Sequence, residues 1–74
     1  MPFMRQSPPL VVAPFGNGWC VRFDGAPTPS IMTEDEAEAR DWAIEYAREH
    51  EMELVQVRDR RDRVVEEIPV TAGN

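Results

Sequence analysis

The segment from Thr33 to His50, TEDEAEARDWAIEYAREH, carries the strongest pattern in this chain. At about 100° per residue, its small apolar side chains fall on one side of a helix and its acidic side chains on the other. The apolar side consists of Ala39, Ala43, Tyr46 and Ala47. The pattern predicts a single helix that lies close over a sheet, because its buried face is nearly all alanine.

The ends of this helix are also marked. Thr33 and Glu36 have the spacing of a capping box, in which the threonine hydroxyl accepts a hydrogen bond from the Glu36 amide. Arg48 and His50 place positive charge near the C-terminal end, where the helix dipole favours it. We therefore predict Thr33 as the N-cap and His50 as a cation at the opposite end.

Four short apolar runs predict the strands, which are Leu10–Ala13, Trp19–Phe23, Leu54–Arg58 and Val64–Ile68. Pro14 places the first strand at an edge, because proline cannot donate to a strand ladder. The sequence Phe15-Gly16-Asn17-Gly18 predicts a hairpin turn. Alternation along the strands turns one set of side chains towards the helix, namely Trp19, Val21, Val55 and Val57. The fold class is thus α+β, with the order ββαββ and an antiparallel sheet that packs one face on the helix.

A chain of 74 residues forms one domain. We assign residues 1–9 to a flexible leader, 10–69 to the domain and 70–74 to a flexible tail. A single core of this size is marginal and is often supported by oligomerisation, which favours a homodimer. The single cysteine, Cys20, can form no disulfide within the chain, and neither an apolar run of bilayer length nor a signal peptide is apparent. These features predict a cytoplasmic protein.

The charge is acidic, with fourteen acids against eight bases, a net charge of −6, and every base is an arginine. This balance argues against non-specific nucleic-acid binding, which depends on contacts between cations and phosphates. It argues equally against an anionic membrane surface.

Residues with catalytic or metal-binding chemistry have no supporting partners in the sequence. Cys20 is expected to be a plain strand residue, because the single histidine, His50, lies at the far end of the helix. A stripe of helical acids could in principle attract a hard cation, but carboxylates one turn apart rarely enclose one, so we interpret it as a solvated face. The stripe contains Glu34, Glu38, Asp41 and Glu45. We predict neither an enzyme nor a cofactor.

Four arginines fall within six residues of this acidic chain, namely Arg58, Arg60, Arg61 and Arg63. Three interpretations remain open. The cluster is a charged hairpin turn neutralised by Asp59 and Asp62, or it contacts an acidic surface such as the helix stripe of a second copy. In the third interpretation, the arginine hairpin enters a nucleic-acid groove together with Arg22 of the sheet. The aspartates between the arginines disfavour this interpretation.

Two large apolar residues lie on opposite flanks of the predicted helix face. Phe3 and Phe15 also lie outside the predicted core. Together with Trp42 and Ile44 they form an exposed patch for a protein contact, or else a loop or the leader covers them. The candidate interaction residues are accordingly Arg58, Arg60, Arg61, Arg63, Trp42, Ile44, Glu38, Asp41 and Glu45.

Three stretches carry a resemblance to a known family: GWCVRFDGA, the T-x-x-E-A helix start and ELVQVRDRRDRV. Together they resemble the small bacterial family catalogued as domain of unknown function 2188. The matching positions are Gly18, Trp19, Val21, Thr33, Glu36, Ala37, Ala47, Leu54, Val55 and Val57. In the last turn the family usually has glycine where this chain has Asp62, a residue type that tolerates a left-handed backbone at smaller cost than most. The resemblance supports the fold and implies no catalytic or binding residue.

The sequence therefore predicts a small non-enzymatic domain that acts through protein contact and self-associates as a homodimer. The alternative is a small nucleic-acid-binding module that uses the arginine-rich hairpin.

Overall fold

The computed structural model describes residues 9–70, and within them one helix packs on a five-stranded sheet. The elements in chain order are β1 Leu10–Phe15, β2 Gly18–Phe23, β3 Ile31–Thr33, α1 Glu36–Glu49, β4 Leu54–Arg58 and β5 Val64–Pro69. The α+β class with one helix on a sheet is confirmed. The order ββαββ is only partly correct, because β3 adds a short strand before the helix. Most of the predicted leader, residues 1–9, and most of the predicted tail lie outside the described residues.

The sheet has the strand order β3-β2-β1-β4-β5, so β1 is its central strand. The prediction that β1 lies at an edge is therefore wrong, as is the prediction of a purely antiparallel sheet. Strand β4 pairs with β1 in parallel, and only along Leu10–Val12. Pro14 lies beyond that pairing, so its missing N–H costs no ladder bond on the β4 side. A proline near the end of a central strand is compatible with this partial pairing.

The hairpin between β1 and β2 is confirmed, with Phe15 opposite Gly18 and a two-residue loop between them. Gly16 has φ of +60°, and it is the first residue of the loop. Glycine at this position is typical of the turns that match the twist of paired strands. Position 18 requires glycine for a different reason, because a Cβ there would lie against the carbonyl oxygen of Thr33 on β3.

The helix begins later than predicted. Its N-cap is Asp35, whose carboxylate accepts from the Glu38 amide at 2.9 Å, so the prediction of Thr33 as the cap is wrong. Thr33 is held in β3 opposite Trp19, and its hydroxyl donates to the Asp35 carbonyl at 2.9 Å. A residue committed to a strand ladder cannot serve as the first helical cap, so the next suitable oxygen takes that role.

The end of the helix agrees with the prediction. His50 is the C-cap and Arg48 lies in the last turn. Glu51 then takes φ of +56°, and the Met52 amide donates to the Ala47 carbonyl at 2.8 Å. This is the pattern of a Schellman cap, and it turns the chain back so that Met52 is buried.

The core lies between the helix and the front face of the sheet, where the predicted alternation is confirmed. The buried residues of this cluster are Leu10, Val12, Val21, Ala39, Ala43, Ala47, Met52, Val55 and Val57. Trp19 and Tyr46 pack against it as partly buried residues. The sequence left the buried face of β5 undecided, and the register resolves it: Ile68 lies opposite Val55 and Glu66 opposite Val57, so both face the helix side.

We expect Gly18→Ala to destabilise the fold by about 1–3 kcal/mol, the usual cost of forcing an extra carbon into a packed site. The φ of Gly18 is ordinary, so the cost arises from the collision with the Thr33 carbonyl rather than from backbone strain. Urea unfolding of both proteins measures the difference. An unchanged free energy of unfolding would contradict the close approach of β2 and β3.

Candidate functional site

The predicted arginine cluster forms the turn between β4 and β5, called the arginine turn and comprising residues 58–63. The Asp59 amide donates to the Arg63 carbonyl at 3.0 Å, and the Asp62 amide donates to the Asp59 carbonyl at 2.9 Å. Asp62 then adopts φ of +66°. A β-turn followed by a left-handed residue is a common hairpin loop. The aspartate thus occupies the conformation that glycine usually supplies.

Asp59 holds this turn together. Its carboxylate accepts from the amides of Arg61 and Arg63 at 2.9 Å each and from the Arg63 Nε at 3.1 Å. The hydrogen bond from the Arg63 amide is the main cause that lowers the pKa of Asp59. The charge of Arg63 is therefore partly compensated within the turn, as the interpretation of a neutralised hairpin expects.

Arg58 points to the back of the sheet, the face opposite the helix, and only 11% of its side chain is exposed. Its guanidinium donates to Asp24 Oδ1 at 3.1 Å, to Asp62 Oδ1 at 3.2 Å and to Gln56 Oε1 at 2.7 Å. These contacts join β4 to the turn after β2 and to the arginine turn. Arg58 is therefore a structural residue rather than a free cation.

The Arg58 contacts belong to a larger layer of polar side chains on the back of the sheet, called the back layer. Its members are Arg22, Asp24, Gln56, Arg58, Asp62 and Glu67. Arg22 donates to Asp62 Oδ1 at 2.8 Å, and Gln56 donates to Glu67 at 3.2 Å. Two guanidinium groups against three carboxylates leave the layer with a formal charge of −1.

The back layer covers apolar residues that do not belong to the helix-side core. Val11, Ala13 and Cys20 are all buried, although none of them is part of the front cluster. Arg22 and Gln56 flank Val11 on the neighbouring strands, where their aliphatic stems can shield it. The sequence left the exposure of this sheet face undecided. In the structure it is sealed by side chains rather than by a second helix.

Cys20 and His50 lie on opposite sides of the sheet. Cys20 is on the back face with 2% of its surface exposed, and burial raises the pKa of its thiol more than nearby Arg22 lowers it. His50 stacks on Tyr46 at the end of the helix, with 4.0 Å between ring centroids. The two groups are thus separated by the sheet and cannot act as a nucleophile and its base.

The remaining arginines of the turn differ in their surroundings. Arg60 Nη2 donates to the Gly16 carbonyl at 3.2 Å, which ties the arginine turn to the hairpin of β1 and β2. Arg61 is exposed. The four predicted interaction arginines are therefore close in space, but they do not form one free basic patch.

Three of the four residues of the predicted acidic stripe lie on the exposed side of the helix, and the fourth, Glu34, is exposed but precedes the helix. Glu38, Asp41 and Glu45 are all exposed, and Glu45 lies 4.0 Å from Arg48. An exposed pair at this distance contributes little to stability. The stripe therefore matches the interpretation of a solvated face.

Trp42 and Ile44 are both half-buried and do not form one patch. Trp42 stacks on Tyr46 with 5.0 Å between ring centroids, and Tyr46 forms a T-shaped pair with Phe23 on β2. Ile44 lies one turn after Arg40, the residue that bonds Glu66 on β5. The expected patch is divided between two sides of the helix. Phe15 is exposed at the hairpin, while Phe3 lies outside the described residues.

Sequence reasoning missed the contact that fastens the helix to β5. Arg40 donates through both terminal nitrogens to the two carboxylate oxygens of Glu66 at 3.0 Å each, and also to Glu36 at 3.1 Å. The spacing of Glu36 and Arg40 is the one visible signal, since it is that of a helical ion pair. Nothing in the sequence pairs Arg40 with a glutamate twenty-six positions later.

A cleft of about 290 Å³ opens on the back of the sheet. It lies between the hairpin of β1 and β2, the connection from Ala26 to Pro29 and the arginine turn. Its charged lining consists of Arg22, Asp59, Arg60 and Asp62, two of each sign. The formal charges of these four residues cancel, so the lining carries no net charge that would favour an anion or a cation.

Across residues 9–70 no three potential metal-ligating side chains come together. The helix in that part of the chain is neither long nor apolar enough to cross a membrane. Comparison with protein families, curated proteins and solved structures found no match. The resemblance to domain of unknown function 2188 therefore stays a prediction from the residues quoted above.

We expect the back layer to make folding stability dependent on acid. The hydrogen bond from Arg58 is the main cause that lowers the pKa of Asp62 in the folded state. The stabilisation of the fold by the Asp62 carboxylate is therefore fully present above the unfolded-state pKa of about 3.9. It is lost as the pH falls through the lower folded-state pKa. Asp62→Asn keeps a residue that tolerates positive φ and removes the charge. The variant should be less stable at neutral pH and should lose less stability in acid.

Urea unfolding at a series of pH values measures both effects. Asp41→Asn, on the exposed side of the helix and outside the back layer, is the matched control and should keep the wild-type acid response. Equal acid slopes for wild type and Asp62→Asn would show that the Asp62 contacts do not stabilise the fold.

Proposed function

We propose that this chain is a non-enzymatic protein-interaction module that self-associates as a homodimer. The observation that carries the proposal is the outer edge of β5. Within residues 9–70, β4 is the only strand that pairs with β5, and two consecutive valines of β5 are exposed, Val64 by 46% and Val65 by 61%. Unpaired strand edges with apolar side chains are sites of protein association.

The small size of the domain supports the same proposal. One helix covers the front of the sheet and a polar layer covers the back, so the apolar area available for a core is limited. Association that buries the exposed valines would add to it. The two exposed valines therefore provide apolar surface that a second copy would bury.

The charge arrangement favours a protein partner over nucleic acid. Arg22, Arg58 and Arg63 each bond a carboxylate of the same chain. Binding of a phosphate backbone would have to compete with these contacts in a molecule of net charge −6. We therefore expect a flat titration with duplex DNA or RNA at low salt. Saturable binding that weakens steeply as salt rises would instead assign the arginine turn to nucleic acid.

The homodimer is tested by the molar mass in solution, measured by sedimentation equilibrium over a dilution series at low salt and at ~0.5 M salt. We expect a dimer at both, because backbone hydrogen bonds and apolar contacts are little affected by screening at a Debye length of a few ångströms. A dimer lost at high salt would instead point to pairing between the arginine turn and the acidic stripe. A monomer under all conditions would contradict the proposal.

A further inference from the structure

The backbone groups on the outer edge of β5 can be derived from its register with β4. In an antiparallel pair, residues alternate between those that bond their neighbour and those that point away. The Val70 amide donates to the Glu53 carbonyl at 3.0 Å, so Val70 faces β4, as do Ile68 and Glu66 by alternation. Glu67 lies between them and directs its N–H and C=O outward.

A bulge changes this alternation near the start of β5. The register shifts between Val57 and Arg58, so that Arg58 lies opposite Val64. The bond from the Asp59 amide to the Arg63 carbonyl flanks this position, which makes Val64 a non-hydrogen-bonded partner of Arg58. Val64 therefore also directs its N–H and C=O outward.

Other features of β5 limit how this edge can pair. Pro69 lies opposite Leu54 at an outward position and has no N–H to offer. The bulge interrupts the regular spacing between Val64 and Glu67. Bulges, prolines and charges on an edge strand are devices that prevent open-ended strand addition. This edge thus offers two complete donor–acceptor positions, three residues apart, to a matching strand.

We propose that the matching strand is β5 of a second copy, antiparallel, with Val64 opposite the partner's Glu67 and Glu67 opposite the partner's Val64. This inference rests on the proposed homodimer and specifies its interface. A two-fold axis between positions 65 and 66 makes four backbone hydrogen bonds and joins two five-stranded sheets. The contact is closed, because each copy uses its one outer β5 edge.

Charge supports the same register. Every glutamate of the strand faces a valine: Glu67 faces the partner's Val64 and Glu66 faces the partner's Val65. A register centred on Glu66 would instead place that residue opposite its own copy, and like charges directly opposite each other are destabilising. Glu66 is also held by Arg40, so its charge is compensated within each subunit.

The register is tested by disulfide trapping between two variants, Val64→Cys and Glu67→Cys, each made with Cys20→Ala. In the proposed dimer these positions lie opposite each other, about 5.5 Å apart between Cα atoms, which suits a disulfide. Within either variant alone, the two cysteines lie roughly 10 Å apart along the strand. We expect a covalent dimer when the variants are mixed and oxidised, and little with either alone.

A second pair of variants tests the backbone donor. Glu67→Pro removes the outward N–H, while Glu67→Thr removes the same charge and keeps that N–H. Loss of two hydrogen bonds per dimer should weaken self-association on the order of tenfold or more for the proline variant relative to threonine. Circular dichroism of both variants tests whether the monomer remains folded, which we expect because this N–H bonds nothing in β4.

The outcomes separate the two proposals. A wild-type dimer that gives no mixed disulfide, and for which proline and threonine at position 67 have equal effects, would overturn this interface while the homodimer stands. A monomeric wild type would overturn both. Mixed trapping together with the proline-specific loss supports the β5 interface.

Discussion

A sheet has two faces, and residues 9–70 provide one helix to cover them. The second face is closed by the back layer, whose two guanidinium groups bond carboxylates from the turn after β2 and from the arginine turn. Arg58 is its centre, since it contacts Asp24, Gln56 and Asp62 at once. Without such a cover, Val11 and Cys20 would face water on an otherwise apolar surface. The position of the arginine turn and the path of the chain after β2 both depend on this arrangement.

This use of arginine also explains why the charge pattern is a poor guide to function. Four arginines in six residues resemble a binding motif, yet Arg58 and Arg63 are engaged by aspartates of the same chain. These internal ion pairs leave less unpaired positive charge at the arginine turn than the sequence suggests. Backbone groups and two exposed valines on the outer edge of β5 have no partner strand within residues 9–70, and the proposed strand pairing rests on them.

The sequence predicts best what is local. The helix, the hairpin after β1 and the inward valines follow from patterns within a few residues, and all are found in the structure. The prediction that β1 lies at an edge is wrong because Pro14 affects only the part of the strand that β4 does not reach. The prediction of Thr33 as the cap is wrong because nothing local shows that it pairs with Trp19.

The contacts that define the candidate surfaces join residues far apart in the chain. Arg58 meets Asp24 thirty-four positions away, and Arg22 meets Asp62 forty positions away. No spacing rule links such pairs, so the back layer could not be derived from the sequence. The arginine turn was located correctly, but its partners could be assigned only once the sheet was known.

The composition of the back layer has a consequence for alkaline conditions. Every basic residue of the chain is arginine, and the guanidinium group keeps its proton at any pH that a protein ordinarily meets. A lysine in the place of Arg58 would lose its charge as the solution became strongly basic, and it would lack the planar fork that reaches several acceptors. At high pH the arginines of the back layer therefore keep their charge and their ion pairs with the carboxylates. The absence of lysine also means that acetylation of a side-chain amine cannot remove any of these charges.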